Sequence, residues 1–289
     1  MSQPALAIIV LAAGKGTRLA VDDAAPPKVL VECLGVPVLD HVRRATLPLD
    51  AAETVVVVGH APDRVEAWLE KSWEGARAVR QVPQLGTGHA LRLALEAIPD
   101  FRGDVLLVYG DIPQISADDL GLLLETHRNA GAEATVLTGV AEDAGALGRI
   151  LRDTEGRFGE IVEAKDATDR PEVLAIREFN TGLYAFSSDA VRPAVQELSR
   201  DNRQGEEYAT EAVNRLARAG RRVEAVATPE AALLLGVNSP ADLAQAYSFL
   251  RRRIVGEHLL GGARIADPDT TVIEVDVEIA PGATILPFT

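Results

Sequence analysis

A loop that combines glycines with cationic side chains follows the first apolar run of the chain. In the segment Leu11–Leu19, Gly14 and Gly16 let backbone N–H groups turn towards phosphate oxygens, and Lys15 and Arg18 balance the phosphate charge. The segment lacks the spacing of a Walker A loop, and it ends in leucine where a dinucleotide-binding fingerprint has Gly or Ala. These features favour an anionic ligand and disfavour NAD and P-loop sites. A flexible glycine turn with solvated cations is the alternative.

A further cation, Lys28, follows two consecutive prolines. Pro26 and Pro27 stiffen the chain, which limits the entropy lost when the Lys28 ammonium is held against a phosphate. Residues 1–28 carry three cations and two aspartates, hence a net charge of +1, in a chain whose formal net charge is −14. This local positive charge favours an anionic ligand, although a solvated lysine after a proline turn would also fit.

A carboxylate stands just beyond another apolar run. Asp111 follows the hydrophobic stretch Asp104–Tyr109, where an unpaired buried carboxylate would be costly. Mg²⁺ prefers oxygen ligands and binds through one or two carboxylates together with substrate phosphates. Asp111 is therefore a candidate Mg²⁺ ligand, with a cap or turn at the end of a strand as the alternative.

The overall composition excludes several classes of protein. The chain has 289 residues, 47% of them hydrophobic and 25% charged, as in ordinary globular proteins. Its 43 acidic residues outnumber 29 basic ones, which argues against a nucleic-acid binder or a protein of anionic membrane surfaces. The early apolar run Ala5–Ala13 is shorter than the roughly 20 residues of a membrane helix, and no basic residue precedes it as in a signal peptide. Because Cys33 is the single cysteine, we expect a buried free thiol and a cytoplasmic protein.

Apolar runs alternate with stretches of helical spacing over the first half of the chain. Strands are predicted over Ala5–Leu11, Thr54–Val58, Asp104–Tyr109 and Ala134–Val140. Helices are predicted over Val38–Thr46 and Asp63–Leu69, and from an N-cap at Ser116 to about Ala130. This order predicts a Rossmann-like α/β fold with a mostly parallel sheet, and places ligands beyond the carboxyl ends of the strands.

The second half of the chain has a different pattern. Short strands at Gly148–Arg152, Gly159–Val162 and Thr181–Phe186 predict a β-rich insertion over the sheet that could close over a second substrate. Ser239 and Pro240 fit the N-cap and first residue of an amphipathic helix that runs to about His258. Apolar residues between positions 272 and 285 recur with hexapeptide spacing, which favours the start of a left-handed β-helix.

The motifs together resemble those of a known enzyme family. The glycine-rich segment, followed by Pro27-Lys28, is similar to the signature of sugar-phosphate nucleotidyltransferases. The stretches Gln81–Ala90 and Tyr109–Asp111 narrow the resemblance to the uridyltransferase half of the bifunctional N-acetylglucosamine-1-phosphate uridyltransferase/glucosamine-1-phosphate acetyltransferases. The similarity follows essentially the whole chain in order.

This resemblance implies a reaction and its partners. The expected substrates are UTP and N-acetyl-α-D-glucosamine 1-phosphate, and the expected products are pyrophosphate and UDP-N-acetylglucosamine, a cell-wall precursor. Because the sugar phosphate is already a dianion near neutral pH, it can attack the α-phosphorus without a general base. The protein must then supply alignment and positive charge.

The resemblance also implies roles for individual residues. Arg18, Lys28 and Asp111 are expected to be catalytic, and Asn238 to join Asp111 as a ligand of Mg²⁺, the expected cofactor. The residues expected to bind the nucleotide are Leu11, Ala12, Ala13, Gly14, Lys15, Gln81, Gln84, Gly86, Thr87 and Gly88. The residues expected to bind the sugar phosphate are Tyr109, Gly110, Gly148, Glu163 and Asn180. The amides of Gln81 and Gln84 can match the imide edge of uracil, whereas His89 is interpreted as a packing residue.

One segment departs from the pattern of the family. Residues 204–211 resemble its Gln-Gly-Glu-Tyr-Tyr-x-Thr-Asp motif, but Glu207 and Glu211 replace Tyr and Asp. These changes affect the acceptor-side loop rather than the expected catalytic residues. Two alternatives stay open: the same chemistry on another nucleotide or sugar, such as thymidylyl or guanylyl transfer, and a non-catalytic regulatory subunit with this fold.

The organisation predicted for the chain has three parts. Residues 1–239 form the nucleotidyltransferase domain, 240–260 a helical arm, and 261–289 an incomplete left-handed β-helix. Full-length relatives of the family form trimers through many hexapeptide coils, which also build the acetyltransferase site. Since a solenoid needs about three repeats for stability, we expect no acetyl transfer and a monomer here.

Overall fold

A mostly parallel β-sheet forms the centre of the structure. The computed structural model describes residues 4–14, 16, 19, 25–229 and 235–289. The central strands are β1 (Leu6–Ala12), β4 (Glu53–Val58), β5 (Ala76–Arg80), β6 (Asp104–Tyr109), β7 (Ala134–Val140), β10 (Glu178–Ser187) and β11 (Val223–Ala227). Their order across the sheet is β11-β7-β10-β6-β1-β4-β5, and β10 runs antiparallel to both of its neighbours. Mixed α/β architecture with a mostly parallel sheet is thus confirmed.

Helices cover both faces of this sheet. The described α-helices are α1 (Val38–Thr46), α2 (Pro62–Ser72), α3 (Thr87–Ala97), α4 (Ala117–Ala130), α5 (Pro171–Leu174), α6 (Ser188–Gln196), α7 (Ala209–Arg218) and α8 (Pro240–Leu260). All of them except α5 and α8 contribute to the two cores on the sheet. One buried core joins the sheet to α3, α6 and α7, and a second joins it to α1, α2 and α4. Alternate residues of β1 enter the two cores, with Ile9 in the first and Ile8 in the second, because successive strand side chains point to opposite faces. None of the described helices is long and apolar enough to cross a membrane.

The predicted helix N-termini have the expected caps. The Ser116 side chain accepts a hydrogen bond from the backbone of Asp119, whose carboxylate bonds back to the Ser116 backbone, forming a capping box for α4. Ser239 likewise accepts from the Asp242 N–H at the start of α8. Both helices therefore begin where the sequence predicts.

The β-rich insertion is smaller than predicted. A hairpin of β8 (Arg149–Arg152) and β9 (Phe158–Val162) corresponds to two of its predicted strands. The third, Thr181–Phe186, belongs instead to β10 and lies inside the central sheet between β6 and β7. Because β10 runs antiparallel, its first residues lie at the sheet edge where the parallel strands end.

The C-terminal part rests on α8. The short hairpin of β2 (Glu32–Cys33) and β3 (Val36–Pro37) packs against α8, and the far end of α8 packs against Ile265 and Ile273. Among the described residues, β12 (Arg264–Ile265) pairs in parallel with β13 (Thr284–Ile285). The strands predicted across residues 272–279 do not form, and that apolar segment contributes side chains to the small core on α8 instead.

Candidate nucleotide-binding and catalytic site

A cleft of about 660 Å³ opens at the carboxyl edge of the central sheet. Loops after the parallel strands β1, β5 and β6 form one side, and the start of β10 with the β8–β9 hairpin forms the other. The predicted site residues that line it are Leu11, Ala13, Gly14, Lys28, Gln81, Gln84, Gly86, Thr87, Tyr109, Asp111, Gly148, Glu163, Asn180 and Asn238. The topology therefore gathers residues spread over more than 200 positions of sequence.

Of the five other predicted site residues, three do not line the cleft and two are not described by the structure. Lys15 and Arg18 lie outside the described residues. Ala12 points into the core on the opposite side of β1. Gly88 and Gly110 serve packing: a Cβ at Gly88 would lie 2.4 Å from Leu198 Cδ1, and one at Gly110 would lie 3.0 Å from Leu39 Cδ1.

A cationic node lies at one end of the cleft. Lys28 Nζ forms an ion pair with Asp111 Oδ2 and donates a hydrogen bond to Asn238 Oδ1 at 2.9 Å. The side chains of Lys28 and Asp111 are only 10% and 11% exposed, so removal of either charge would leave the other buried without its partner. The two candidate metal ligands thus direct oxygens at one cation in this structure.

Backbone contacts bring these two ligands together. The Val237 N–H donates to the Asp111 carbonyl at 2.8 Å, which ties the loop after β6 to the segment before α8. The Asn238 amide nitrogen donates to Gly236 O at 2.9 Å and leaves Oδ1 directed at the node. The oxygen donors and their convergence on a cation fit a hard divalent ion.

The glycine-rich loop makes room for Lys28. A Cβ at Gly14 would lie 2.9 Å from Lys28 Cε, and one at Gly16 would lie 2.6 Å from Lys28 Cβ. Gly16 also has a φ of +58°, which side chains rarely adopt. The two described glycines therefore let the lysine stem cross the loop and reach Asp111.

Two glutamine amides lie at another part of the cleft. Gln81 is 4% exposed, and its Nε2 donates to Gly86 O at 2.8 Å and contacts His89 Nδ1 at 3.2 Å. Gln84 Nε2 donates to the carbonyl of Ala13, at the end of β1. Both amide nitrogens are therefore engaged within the protein. The amide oxygens, and one amide hydrogen of Gln84, are the groups left to face a ligand.

The opposite wall of the cleft carries polar groups in apolar surroundings. Burial raises the pKa of Glu163 above its usual value, and the hydrogen bond with Thr210 offsets only part of that effect. Burial likewise raises the pKa of Tyr109, which keeps the phenol protonated. Asn180, 6% exposed, donates to Tyr184 Oη at 2.6 Å and accepts from the Gly182 N–H at 3.0 Å. These bonds fix the start of β10 at the cleft.

A bulge in β10 adjusts this wall. The register of β10 against β7 shifts between Asn180 and Tyr184. Gly182 lies within the shift with a φ of +85°, and a Cβ there would lie 2.6 Å from Tyr109 Cε2. Only glycine lets the Tyr109 ring lie this close to the backbone of β10.

Sequence reasoning did not single out several residues that line the cleft. Glu206 and Thr210 belong to the segment that was compared with the family motif, so their position in the chain was a usable signal. Thr181, Gly182 and Tyr184 lie within an apolar strand, whose pattern indicates only burial. Their place in the site follows from the antiparallel direction of β10.

The fold and the cleft define the class of protein. A cleft at the carboxyl edge of a mostly parallel sheet, lined by amides, a lysine and a carboxylate–amide pair, is typical of α/β enzymes that bind nucleotides. The family model described as the MobA-like NTP transferase domain matches residues 8–219. The chain belongs to this family of nucleotidyltransferases.

Curated relatives of this chain include bacterial proteins named bifunctional protein GlmU. The protein from Kineococcus radiotolerans is 43% identical over 289 residues, which are 99% of this chain and 58% of that protein. The protein from Lactococcus lactis subsp. cremoris is 41% identical over 271 residues, which are 94% of this chain and 57% of that protein. The chain spans less than two thirds of the length of either relative. The resemblance predicted from the motifs is confirmed.

A solved structure shares the fold. It comes from Bacillus anthracis, is described as a candidate glucose-1-phosphate thymidylyltransferase, and contains a sucrose. Its TM-score is 0.66 at 21% identity, over 84% of this chain and 94% of that one. At this identity the likeness shows the fold alone.

Proposed function

We propose that the chain transfers a uridylyl group from UTP to N-acetyl-α-D-glucosamine 1-phosphate and releases pyrophosphate. The observation that carries this proposal is one cleft with three different kinds of surface. It has a cationic node at Lys28, amide oxygens at Gln81 and Gln84, and a polar wall at Glu163. The similarity to GlmU proteins over at least 94% of the chain supports the same substrates.

The amide end of the cleft suits uracil. Both hydrogen bonds described for the Gln81 side chain are made by Nε2, so Oε1 can accept a hydrogen bond from a ligand. Uracil carries an N–H at position 3 of its ring, whereas cytosine has a lone pair there. An acceptor that faces this position therefore discriminates between the two bases.

The cationic end suits the phosphates. The ammonium of Lys28 can balance the charge on oxygens of the α-phosphate, and the backbone beside Gly14 can donate N–H groups to them. Asp111 and Asn238 would hold a divalent metal, for which we propose Mg²⁺, as family membership also favours. A bound Mg²⁺ would supply positive charge to the triphosphate.

The opposite wall suits the sugar phosphate. A Cβ at Gly148 would lie 3.4 Å from Glu163 Oε2, so glycine leaves space between the hairpin and that carboxylate. Glu163, protonated or ionised, can bond sugar hydroxyls, and Asn180 has one amide hydrogen beyond its bond to Tyr184. The phosphate of the bound sugar is the nucleophile, and residues on both walls align it with the α-phosphorus.

Two structural expectations join this proposal. We propose that residues 261–289 are the first coil of a left-handed β-helix, supported by the parallel pairing of Arg264 with Thr284, twenty positions apart. A coil of three hexapeptides has about 18 residues. The division at residues 239 and 260 remains a prediction, as does a cytoplasmic location.

Pyrophosphate release tests the proposed reaction. UTP, CTP, GTP and dTTP are each combined with N-acetylglucosamine, glucosamine and glucose 1-phosphates. We expect the highest kcat/KM for UTP with N-acetylglucosamine 1-phosphate, and no turnover in excess EDTA. Asp111→Asn should lower turnover at least about tenfold, while Asp118→Asn, on the exposed face of α4, should not. Preference for another substrate pair, or full activity of Asp111→Asn, contradicts the proposal.

A further inference from the structure

The side chain that fixes Gln81 is His89, which lies in the first turn of α3. Gln81 Nε2 lies 2.8 Å from Gly86 O and 3.2 Å from His89 Nδ1. A backbone carbonyl can only accept, so the Gln81 group facing Gly86 must be the NH₂ group. Its second hydrogen then points to His89 Nδ1, which must carry a lone pair.

This arrangement determines which end of the amide faces the cleft. Both hydrogens of the Gln81 NH₂ group are used, so the carbonyl oxygen is the end left for a ligand. Among the described residues, both hydrogen bonds of the Gln81 side chain involve Nε2, and Oε1 does not belong to the fully buried polar atoms that lack a partner. The oxygen is therefore accessible. Because Gln81 lines the cleft, its oxygen reaches the open space there.

The surroundings keep His89 in the required form. His89 is 7% exposed, and burial lowers the pKa of its imidazole. The charges around it are mixed: Arg92 and Arg200 oppose protonation, while Glu207 and Glu96 favour it. The neutral ring with its proton on Nε2 is the tautomer that can accept from Gln81.

We propose that His89 is a positioning residue that determines base specificity, by holding the Gln81 amide with its acceptor oxygen towards the base. This inference rests on the proposed uridylyl transfer. It gives a functional role to a residue that the sequence analysis interprets as a packing residue. Without an acceptor at position 89, only the bond to Gly86 O still holds the NH₂ group, so the amide turns more readily and a fraction of the molecules presents NH₂ to the cleft. That group would bond the ring lone pair of cytosine equally well, so discrimination would fall.

The test compares equilibrium binding of UTP and CTP by calorimetry, which does not depend on turnover. His89→Leu removes the acceptor, whereas His89→Asn can place an amide oxygen near the position of Nδ1. His127→Leu is the matched control, because His127 is also buried but lies away from the cleft. Its ring contacts Thr135 Oγ1, near the amino end of β7. One lost hydrogen bond corresponds to a change of about 2- to 12-fold in a binding ratio.

We expect His89→Leu to lower the ratio of UTP to CTP affinity by about this factor, while His89→Asn and His127→Leu keep the ratio of the parent. An unchanged ratio in His89→Leu overturns the inference and leaves the proposed function intact. A parent protein that binds UTP no better than CTP overturns both. A role in packing alone would weaken both nucleotides equally.

A spectroscopic measurement decides the matter even if His89→Leu does not fold. The chain has five histidines, so ¹⁵N-histidine labelling gives a simple spectrum in which the His89→Asn variant identifies the signals of His89. We expect Nδ1 without a proton at neutral pH. A proton on Nδ1 would exclude the bond from Gln81 and overturn the inference.

Discussion

Replacement of Lys28 by methionine tests the cationic node through folding stability alone. The substitution keeps the length of the side chain and removes its charge, leaving Asp111 without its ion-pair partner. Both side chains are about nine-tenths buried, at 10% and 11% exposure. Breaking a buried pair costs about 3–5 kcal/mol, and because the site opens onto a cleft we expect about 3 kcal/mol for Lys28→Met.

A double-mutant cycle isolates the pair. We expect Asp111→Asn to cost about 2 kcal/mol, because the ammonium keeps its bond to Asn238 Oδ1. The double variant has no unpaired charge and should lose only about 2 kcal/mol in total, which leaves a coupling energy of about 3 kcal/mol. Arg222→Met is the control, since Arg222 pairs with Glu224 at an exposed site and should change little.

Urea unfolding followed by tryptophan fluorescence measures these differences, because Trp73 is buried. If the stability losses of the two single variants add up to the loss of the double variant within about 0.5 kcal/mol, the account of the node as a coupled pair is refuted. Saturating Mg²⁺ should stabilise Lys28→Met more than the parent, in which the ammonium already neutralises Asp111. At 100 times its dissociation constant a ligand contributes about 2.7 kcal/mol. Equal stabilisation of both proteins would argue against Asp111 as a metal ligand.

Other titratable groups lead to further predictions. Because burial raises the pKa of Glu163, its ionisation lowers the folding stability as pH rises above 4.5. The Glu163→Gln variant should therefore have a higher urea midpoint than the parent at pH 7 but not at pH 4. It should also have a higher KM for the sugar phosphate. Burial lowers the pKa of His41, His89 and His127, so the unfolded chain binds more protons and the free energy of unfolding should fall as pH drops below 6.5. Unfolding curves of His127→Asn should show a weaker fall, and an unchanged slope would contradict this reasoning. Burial raises the pKa of Cys33 to about 11, so iodoacetamide should label this thiol only after unfolding; rapid labelling of the native protein would refute its burial.

The strands best predicted from sequence are those whose environment matches their pattern. β6 and β7 are almost wholly buried and form with the predicted bounds. β5 and β11 lie at the two edges of the main sheet order, and their residues are half-buried or exposed, so their apolar pattern is too weak to predict a strand. The place of β10 depends on pairing with β6 and β7, which no local pattern encodes.

The candidate site shows the same division between local and tertiary information. The glycine-rich loop and the carboxylate at the end of β6 are local features, and the sequence indicates both. The partners of Lys28 are 83 and 210 positions away in sequence, so its ion pair with Asp111 and its bond to Asn238 emerge only from the fold. The contact of His89 with Gln81 spans eight positions, but it depends on the path of the loop before α3.

The structure explains Glu207, which replaces the tyrosine of the family motif. Glu207 is 8% exposed, and its carboxylate accepts from Arg92 of α3 at 2.8 Å. Its backbone also bonds both ends of the same turn, donating to Leu85 O and accepting from the Gly88 N–H, each at 2.7 Å.

Glu207 thus fastens the acceptor-side loop, which carries Glu206 and Thr210 at the cleft, to the helix that begins beside the predicted base site. A tyrosine at position 207 would keep the backbone bonds but not the ion pair. The substitution therefore changes how the two walls of the cleft are joined, and leaves the groups that face the phosphates unchanged.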